Sequence, residues 1–344
     1  MMRQILSRSP VLQRFHLLCL AGLLIVSGAA RSQDSRAEQL TALRSVDRQV
    51  ATIGHRLAVG NADLCRQLQW LPGLAIHDLS QYGDGYRDAA IRAFGLDRGP
   101  GVLALASAGP AERAGLRLDD IIVAADGERL ILSRPASGRT FDQAERVLDA
   151  LDRAFADGRA ELSVLRAGQP LDVAVAAERG CSSRFQLIPS RQLNARADGR
   201  YVQVTTAISE YVQDEQELAA VLAHEFAHNV LRHRVRLDEA GVARGFFGNF
   251  GRNARLIRET EAEADRLSVY LLDRAGYDPA AAVRFWSRFG RRGLNFLGSP
   301  THPNWRARIA LFEAEIARIR AARAAGQLPM PELAPPPPIA RPSG

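Results

Sequence analysis

The stretch Leu218–Leu231, LAAVLAHEFAHNVL, is apolar on nearly every side of a helix and yet carries His224, Glu225 and His228. The two histidines are four positions apart, which places both imidazoles on one helix face, and Glu225 lies beside them. This HExxH spacing is typical of helices in which two histidines bind zinc and the glutamate acts on water as a base. Burying such groups without partners costs about 1–3 kcal/mol each, and a bound metal ion would offset that cost.

A catalytic zinc site uses three protein ligands and keeps one position for water, so the sequence must supply a third ligand. We expect it from a second helix, RETEAEADRLSVYLLDRAG, which starts near residue 257. Glu261 and Asp265 share its small and apolar face, which predicts Glu261 as the third ligand and Asp265 as the group that orients a ligand histidine. Glu263 falls on the solvated face and is the alternative ligand. On a continuous first helix His233 lies opposite the first histidine, so it is predicted to lie at the surface.

Length and composition predict a globular protein with more than one folded unit. The chain has 344 residues, of which 47% are hydrophobic. Its formal charge is +7, but every basic residue is arginine, and the arginines alternate with acids instead of clustering. We interpret the charge as compositional bias and expect no nucleic-acid partner.

The N-terminus has the pattern of a signal peptide. Three arginines precede an apolar run over residues 15–26, and SGAARS follows as a cleavage site, which predicts a signal over residues 1–31. The run is shorter than the roughly 18 residues of a spanning helix, so export to the periplasm is favoured over an uncleaved anchor in the inner membrane. Peripheral membrane association stays open. In an oxidising compartment Cys65 and Cys181 are candidates for a disulfide, with two separately buried cysteines as the alternative.

Near residue 86 the sequence pattern changes from helical periodicity to short strand-like runs. Residues 36–70 show apolar positions at three- and four-residue spacing, which predicts a helix. We therefore assign residues 32–85 to an N-terminal helical part of the main domain. Short strand-like runs with turns then alternate with the helical stretch FDQAERVLDALDRAF, and two strands flank an AGQ turn. This order predicts a small strand-rich domain over residues 86–178.

One part of this domain, SAGPAERAGLRLDDIIVAADGERL, resembles the core of PDZ domains of bacterial proteases. The resemblance implies capture of extended peptides, such as C-terminal tails, by strand addition beside a carboxylate-binding loop. That loop would be RGPGVLAL, Arg98–Leu105, which departs from the usual form. A purely structural insert is the alternative.

The motifs HEFAH and EAEAD resemble the HExxH and ExxAD pair of the metallopeptidase family that includes the CAAX prenyl proteases, the HtpX heat-shock peptidases and the periplasmic protease BepA. The family pattern places its third ligand at the first glutamate of ExxAD, which is Glu261 here. NARADGRYVQVTTAI resembles the family's active-site strand, and SPTHPNWRARI resembles its His-Pro motif. The second likeness implies a catalytic role for His302 as an electrostatic helper or gate, whereas a structural histidine at a helix entry is the alternative.

Together these features predict an α+β protein. A mainly helical, zincin-like metallopeptidase domain with a small active-site β-sheet would end with residues 179–325, and a disordered proline-rich tail would occupy residues 326–344. The expected activity is zinc-dependent cleavage of unfolded or misassembled envelope polypeptides, with one Zn²⁺ per chain and substrate extended along residues 201–206. The alternative is a PDZ-containing, chaperone-like adaptor in which zinc is structural.

Overall fold

A long helix, α1 (Val11–Gly60), begins the described part of the chain, which in this computed structural model comprises residues 11–130, 137–242, 251–292 and 304–332, with side chains from Asp34 onward. The apolar spacing continues to Leu57, which is fully buried. The helix ends at Gly60, where a β-carbon would lie 3.0 Å from the backbone oxygen of Arg274. The prediction of helix through residue 70 was wrong at its end, because Leu68–Leu71 pairs as a strand instead.

The regular elements follow the predicted succession of helix, strand-rich region and helices. The other helices are α2 (Asp84–Phe94), α3 (Pro110–Arg113), α4 (Asp142–Ala154), α5 (Thr206–Tyr211), α6 (Glu215–Val230), α7 (His233–Glu239), α8 (Gly251–Arg274), α9 (Ala280–Arg291) and α10 (Trp305–Ala324). The strands are β1 (Leu68–Leu71), β2 (Leu74–His77), β3 (Gly101–Leu105), β4 (Ile121–Ala125), β5 (Glu128–Arg129), β6 (Arg159–Arg166), β7 (Gln169–Ala176), β8 (Glu178–Cys181), β9 (Arg184–Ile188), β10 (Ala195–Ala197) and β11 (Tyr201–Thr205). This mixture fits the predicted α+β class.

Residues 74–176 form a unit around a six-stranded antiparallel sheet, named here the sheet unit. Its strand order is β2-β3-β4-β6-β7, with β5 beside β4, and α4 packs over the sheet. Gly168, at φ +82°, makes the predicted turn between β6 and β7, because this backbone conformation suits glycine. The sheet begins at β2, upstream of residue 86. The predicted carboxylate-binding loop, Arg98–Leu105, includes β3, and β2 and β4 pair with both edges of this strand, so no peptide can add to β3 itself. The role of the loop stays a prediction.

The sheet unit packs against α1 and is joined to the helical part of the molecule at its base, where β1 and β8 meet. There β1 pairs antiparallel with β8, and Leu68 lies opposite Cys181. A disulfide joins Cys65 to Cys181, whose Cα atoms are 5.5 Å apart, so the predicted bond is confirmed. The bond closes a separation of 116 residues, and such a crosslink typically stabilises a fold by about 2–4 kcal/mol, mainly by restricting the unfolded chain.

Helices α1, α6, α8, α9 and α10 enclose the second core, with a small sheet on one side. Leu218, Leu222 and Phe226 of α6 meet Leu267 and Leu271 of α8 in the centre of this core, and all five side chains are fully buried. The sheet has the order β10-β11-β9, in which β11 runs antiparallel to β10 and parallel to β9. Because β11 is paired on both sides, the prediction that substrate extends along residues 201–206 was wrong.

The two ends of the chain were predicted to be a signal peptide and a disordered tail. Residues 15–26, the apolar run of the predicted signal, lie within α1, and residues 1–10 lie outside the described residues. Within the described ranges, no helix combines the length and apolar character needed to cross a bilayer. After α10, residues 326–332 carry no helix or strand, and residues 333–344 of the predicted tail lie outside the description. Export and cleavage stay predictions.

Candidate metal centre

Helix α6 is held at both ends by polar side chains. Asp214 caps its first turn by accepting a hydrogen bond from the backbone N–H of Glu217 at 2.9 Å. The side chain of Glu217 in turn accepts a hydrogen bond from the backbone N–H of Gln213. Near the other end, Asn229 accepts from the N–H of Gly199 at 2.7 Å and so ties α6 to the turn between β10 and β11. These hydrogen bonds fix the position of α6 relative to the small sheet.

His224, His228 and Glu261 meet between α6 and α8, and one ligand atom from each lies within 4.8 Å of the others. The two Nε2 atoms are 3.3 Å apart. Glu261 Oε2 lies 3.4 Å from His224 Nε2, and Glu261 Oε1 lies 3.5 Å from His228 Nε2. Ligands about 2.0–2.1 Å from a tetrahedral zinc ion are separated by about 3.3–3.4 Å. The spacing and the mixed nitrogen and oxygen donors therefore fit zinc.

An acid and an arginine stand behind His224. Its Nδ1 lies 3.0 Å from Asp265 Oδ1, which is the contact predicted for this acid. Arg308, from α10, donates through Nε to Asp265 Oδ2 at 2.7 Å and stacks 3.5 Å from the centre of the Trp286 ring. Asp265 and Arg308 are almost completely buried. The pair holds His224 with Nε2 directed towards the candidate metal position.

A second pair stands behind His228, and here the sequence misled. His233 Nδ1 lies 2.9 Å from His228 Nδ1, and His233 Nε2 lies 3.0 Å from Glu263 Oε2. His233 is only 2% exposed, so its predicted surface position was wrong. The prediction assumed one continuous helix, but α6 ends at Val230 and Arg232 adopts a left-handed φ of +54°. This break turns His233 back onto the site.

Glu263 neither joins the three ligand atoms nor lies free in solvent. It pairs with His233, and Arg236 of α7 donates to its Oε2 at 2.6 Å. Burial alone would raise the pKa of Glu263, but hydrogen bonds from His233 and Arg236 lower it to about 2. Glu263 is therefore an ionised carboxylate that pairs with His233 and Arg236. This arrangement does not support the alternative in which Glu263 is the third ligand.

The electrostatics of the three ligands favour a cation. Burial disfavours the charged form of His224, but Asp265 and Glu261 outweigh it and raise the pKa of His224 to about 10. Burial lowers the pKa of His228 to about 3, so this imidazole is neutral and offers a lone pair at neutral pH. A site that places the carboxylates of Glu261 and Asp265 beside two imidazoles favours positive charge and suits a divalent ion.

The two predicted catalytic residues have different outcomes. Glu225 is half-buried on α6, next to His224 in the chain. His302 lies outside the described residues, so its role stays a prediction. Sequence reasoning also gave no role to Arg308 and Trp286, although Arg308 belonged to the quoted His-Pro stretch. Nothing in the local pattern signals that an arginine of α10 reaches an acid of α8.

Comparison with known proteins points to the same part of the chain. Residues 169–256 and 249–316 match the model of Peptidase family M48. Mitochondrial metalloendopeptidase OMA1 of Schizosaccharomyces pombe is 34% identical over 137 residues, covering 33% of this chain and 41% of the relative. The beta-barrel assembly-enhancing protease of Yersinia pestis is 31% identical over 153 residues, covering 35% of this chain and 31% of the relative. The beta-barrel assembly-enhancing protease of Escherichia coli is 29% identical over 161 residues, covering 37% of this chain and 33% of the relative.

The chain thus spans less than half the length of these curated relatives. The family match begins in β7 and ends within α10, so it contains α6, α8 and all the side chains that meet at the candidate metal position. The ligand spacing fits zinc independently of the match. Residues 169–316 are therefore similar to Peptidase family M48, and this part of the chain contains three side chains whose spacing fits a zinc ion.

Proposed function

We propose that this protein is an exported, zinc-dependent endopeptidase that cleaves unfolded or misassembled polypeptides of the cell envelope. The observation that carries the proposal is the meeting of two imidazoles and one carboxylate: the two Nε2 atoms are 3.3 Å apart, and the two oxygens of Glu261 lie 3.4 and 3.5 Å from them, which suits one zinc ion. The names of the relatives, which include proteases linked to beta-barrel assembly, support a substrate in the envelope. The predicted signal peptide supports the periplasm as its location.

Each residue of the centre has a defined task in this proposal. His224, His228 and Glu261 hold the zinc ion. Bound zinc supplies Lewis-acid activation of a water molecule and of the scissile carbonyl. Glu225 takes a proton from the attacking water and delivers it to the amine that leaves. His302 of the His-Pro motif acts as an electrostatic helper.

The small sheet offers an edge for the substrate. Since β11 is central, the free edge on the side of α6 is β10, Ala195–Ala197. An extended peptide beside β10 would bond through its backbone, which makes recognition largely independent of sequence. We therefore place the substrate along β10 and in front of α6, a position that suits unfolded chains.

The sheet unit offers a second edge, and we propose that it works as a PDZ-like domain. Its β2 is the edge strand, preceded by the two-residue turn Pro72–Gly73. A cavity of about 200 Å³ lies between β2, α4, α1 and β9. Apolar side chains line it, among them Ile76 of β2 and Leu148 of α4. A peptide tail added to β2 would place its side chains in this cavity and would contact both parts of the molecule.

A charge placed in this cavity should weaken recruitment of substrate. We expect Leu148→Arg to raise KM for casein several-fold while kcat changes little, because an arginine would fill the apolar cavity without altering the metal centre. Leu171→Arg is the matched control, since Leu171 is 40% exposed on β7 at the opposite edge of the sheet. A changed kcat at saturating substrate would instead indicate that the sheet unit regulates the site, and identical kinetics for both variants would exclude a role for the cavity.

Metal removal tests the function directly. Casein digestion by the full-length protein should stop after dialysis against a chelator and return when one equivalent of zinc is restored, because the water is activated by the ion. Zinc content is measured on the same samples by atomic emission. Digestion that survives complete loss of zinc would contradict the proposal. A protein that binds zinc and digests no substrate would favour the adaptor alternative.

A further inference from the structure

The hydrogen bonds behind His228 form a chain that no sequence motif assigned. His228 Nδ1 meets His233 Nδ1 at 2.9 Å, and His233 Nε2 meets Glu263 Oε2 at 3.0 Å. Glu263 is held in turn by Arg236. The chain thus links three helices: α6 with the ligand, α7 with His233 and Arg236, and α8 with Glu263. It runs away from the candidate metal position to Glu263, whose side chain is about one-third exposed.

The direction of each hydrogen bond follows from the chemistry of the two ends. A histidine that binds metal through Nε2 must carry its proton on Nδ1, so His228 Nδ1 is the donor. Its partner, His233 Nδ1, must then accept, which leaves the proton of a neutral His233 on Nε2. A carboxylate can only accept, and Glu263 lies where it receives that proton's hydrogen bond. All donors and acceptors are satisfied in this one arrangement.

The opposite arrangement would disable the ligand. If His233 donated through Nδ1, then His228 Nδ1 would have to accept, and the proton of His228 would point from Nε2 at the metal position. The carboxylate of Glu263 makes this arrangement unfavourable, because a neutral His233 in that tautomer would present a lone pair to a negative oxygen. Glu263 therefore selects the tautomer of His228 through His233.

We propose that His233 and Glu263 are positioning residues of the metal centre, which hold His228 in the tautomer and orientation that ligation requires. The pair does for His228 what Asp265 and Arg308 do for His224, except that a neutral imidazole separates the acid from the ligand. The inference rests on the proposed zinc site. The break between α6 and α7 makes this contact possible, because a continuous helix would place His233 away from His228.

The first test measures zinc affinity, which does not depend on activity. Full-length wild type and His233→Phe compete for zinc with a chromophoric chelator, and we expect the variant to bind zinc about 10–100-fold more weakly. His55→Phe is the matched control, because His55 also bonds a glutamate, Glu178, at 2.9 Å but lies on α1, outside the centre. Its zinc affinity should equal that of wild type. Equal affinity of His233→Phe and wild type would overturn the proposal.

Two further measurements separate positioning from general stability. Glu263→Gln keeps His233 in place and removes the charge, so it should also weaken zinc binding, and its circular dichroism spectrum should match that of wild type. In zinc-loaded wild type, nitrogen-15 NMR should show His228 protonated at Nδ1 and His233 protonated at Nε2. The reverse tautomer at His233 would overturn the proposal. Wild type that binds no zinc at all would instead remove the metal site, a failure distinct from that of the positioning pair.

Discussion

Glu225→Gln should lower kcat for casein cleavage by about 10²–10⁴-fold, the range that general acid–base catalysis contributes. The amide has nearly the shape of the carboxylate but cannot take a proton from water at neutral pH. Because Glu225 is not one of the three proposed zinc ligands, zinc content should stay at one ion per chain. The measurement is a steady-state digestion with zinc determined on the same protein.

The matched control is Glu215→Gln, the same change in the first turn of α6, where the side chain is exposed. It should retain wild-type kcat, because it lies far along the helix from the metal-binding residues. Equal kcat for Glu225→Gln and wild type would remove Glu225 as the base. Loss of zinc from Glu225→Gln would show instead that this residue supports the metal.

Arg308→Met should lower the free energy of unfolding by about 3–5 kcal/mol at pH 7, the usual cost of leaving a buried charge without its partner. Asp265 would lose its bonds to Arg308 while remaining fully buried. Burial raises the pKa of Asp265, but Arg308 and His224 outweigh it and hold that pKa below its ordinary value. A depressed acid pKa contributes stability above the ordinary pKa of aspartate, and this contribution is lost as the pH falls. The effect is therefore fully present at pH 7.

Urea unfolding of Arg308→Met and of Arg306→Met gives the comparison. Arg306 is exposed on the same helix, so its loss should cost less than about 1 kcal/mol. The double variant Arg308→Met with Asp265→Asn should lose less than the sum of the two single changes, because neither charge is then left buried alone. Additive losses, or equal stability of the two methionine variants, would contradict a coupled pair.

The helical periodicity predicted correctly which side chains of α6 and α8 face the candidate metal position. On any α-helix, positions four apart lie above one another, so His224 and His228 share a face whatever surrounds them. The same rule put Glu261 and Asp265 on the buried face of α8, and both are buried there. The rule fails where a helix stops without a signal. No glycine or proline marks Leu231–Arg232, and for this reason His233 was misplaced.

Strand pairing was the weaker part of the prediction. The runs that became β3 and β11 have the composition of buried strands; the first was interpreted as part of a carboxylate-binding loop and the second as a strand that accepts a peptide. Each is in fact central in its sheet, because a neighbouring segment, β2 or β9, pairs along the edge that seemed free. Composition reports that a strand is buried, but pairing depends on segments distant in sequence, and it alone decides which edge stays open.

The sequence by itself determined the two helices that carry the candidate ligands, the alternation of strands and helix after residue 86 and the two cysteines that could meet. The helices and strands follow from spacing within a few residues, which local geometry enforces. Only the tertiary structure decided that Arg308 reaches Asp265, that His233 turns back onto His228, and that β2 and β10 are edge strands among the described residues. Those contacts depend on where the chain reverses and which distant segments pack together, and no local pattern records that.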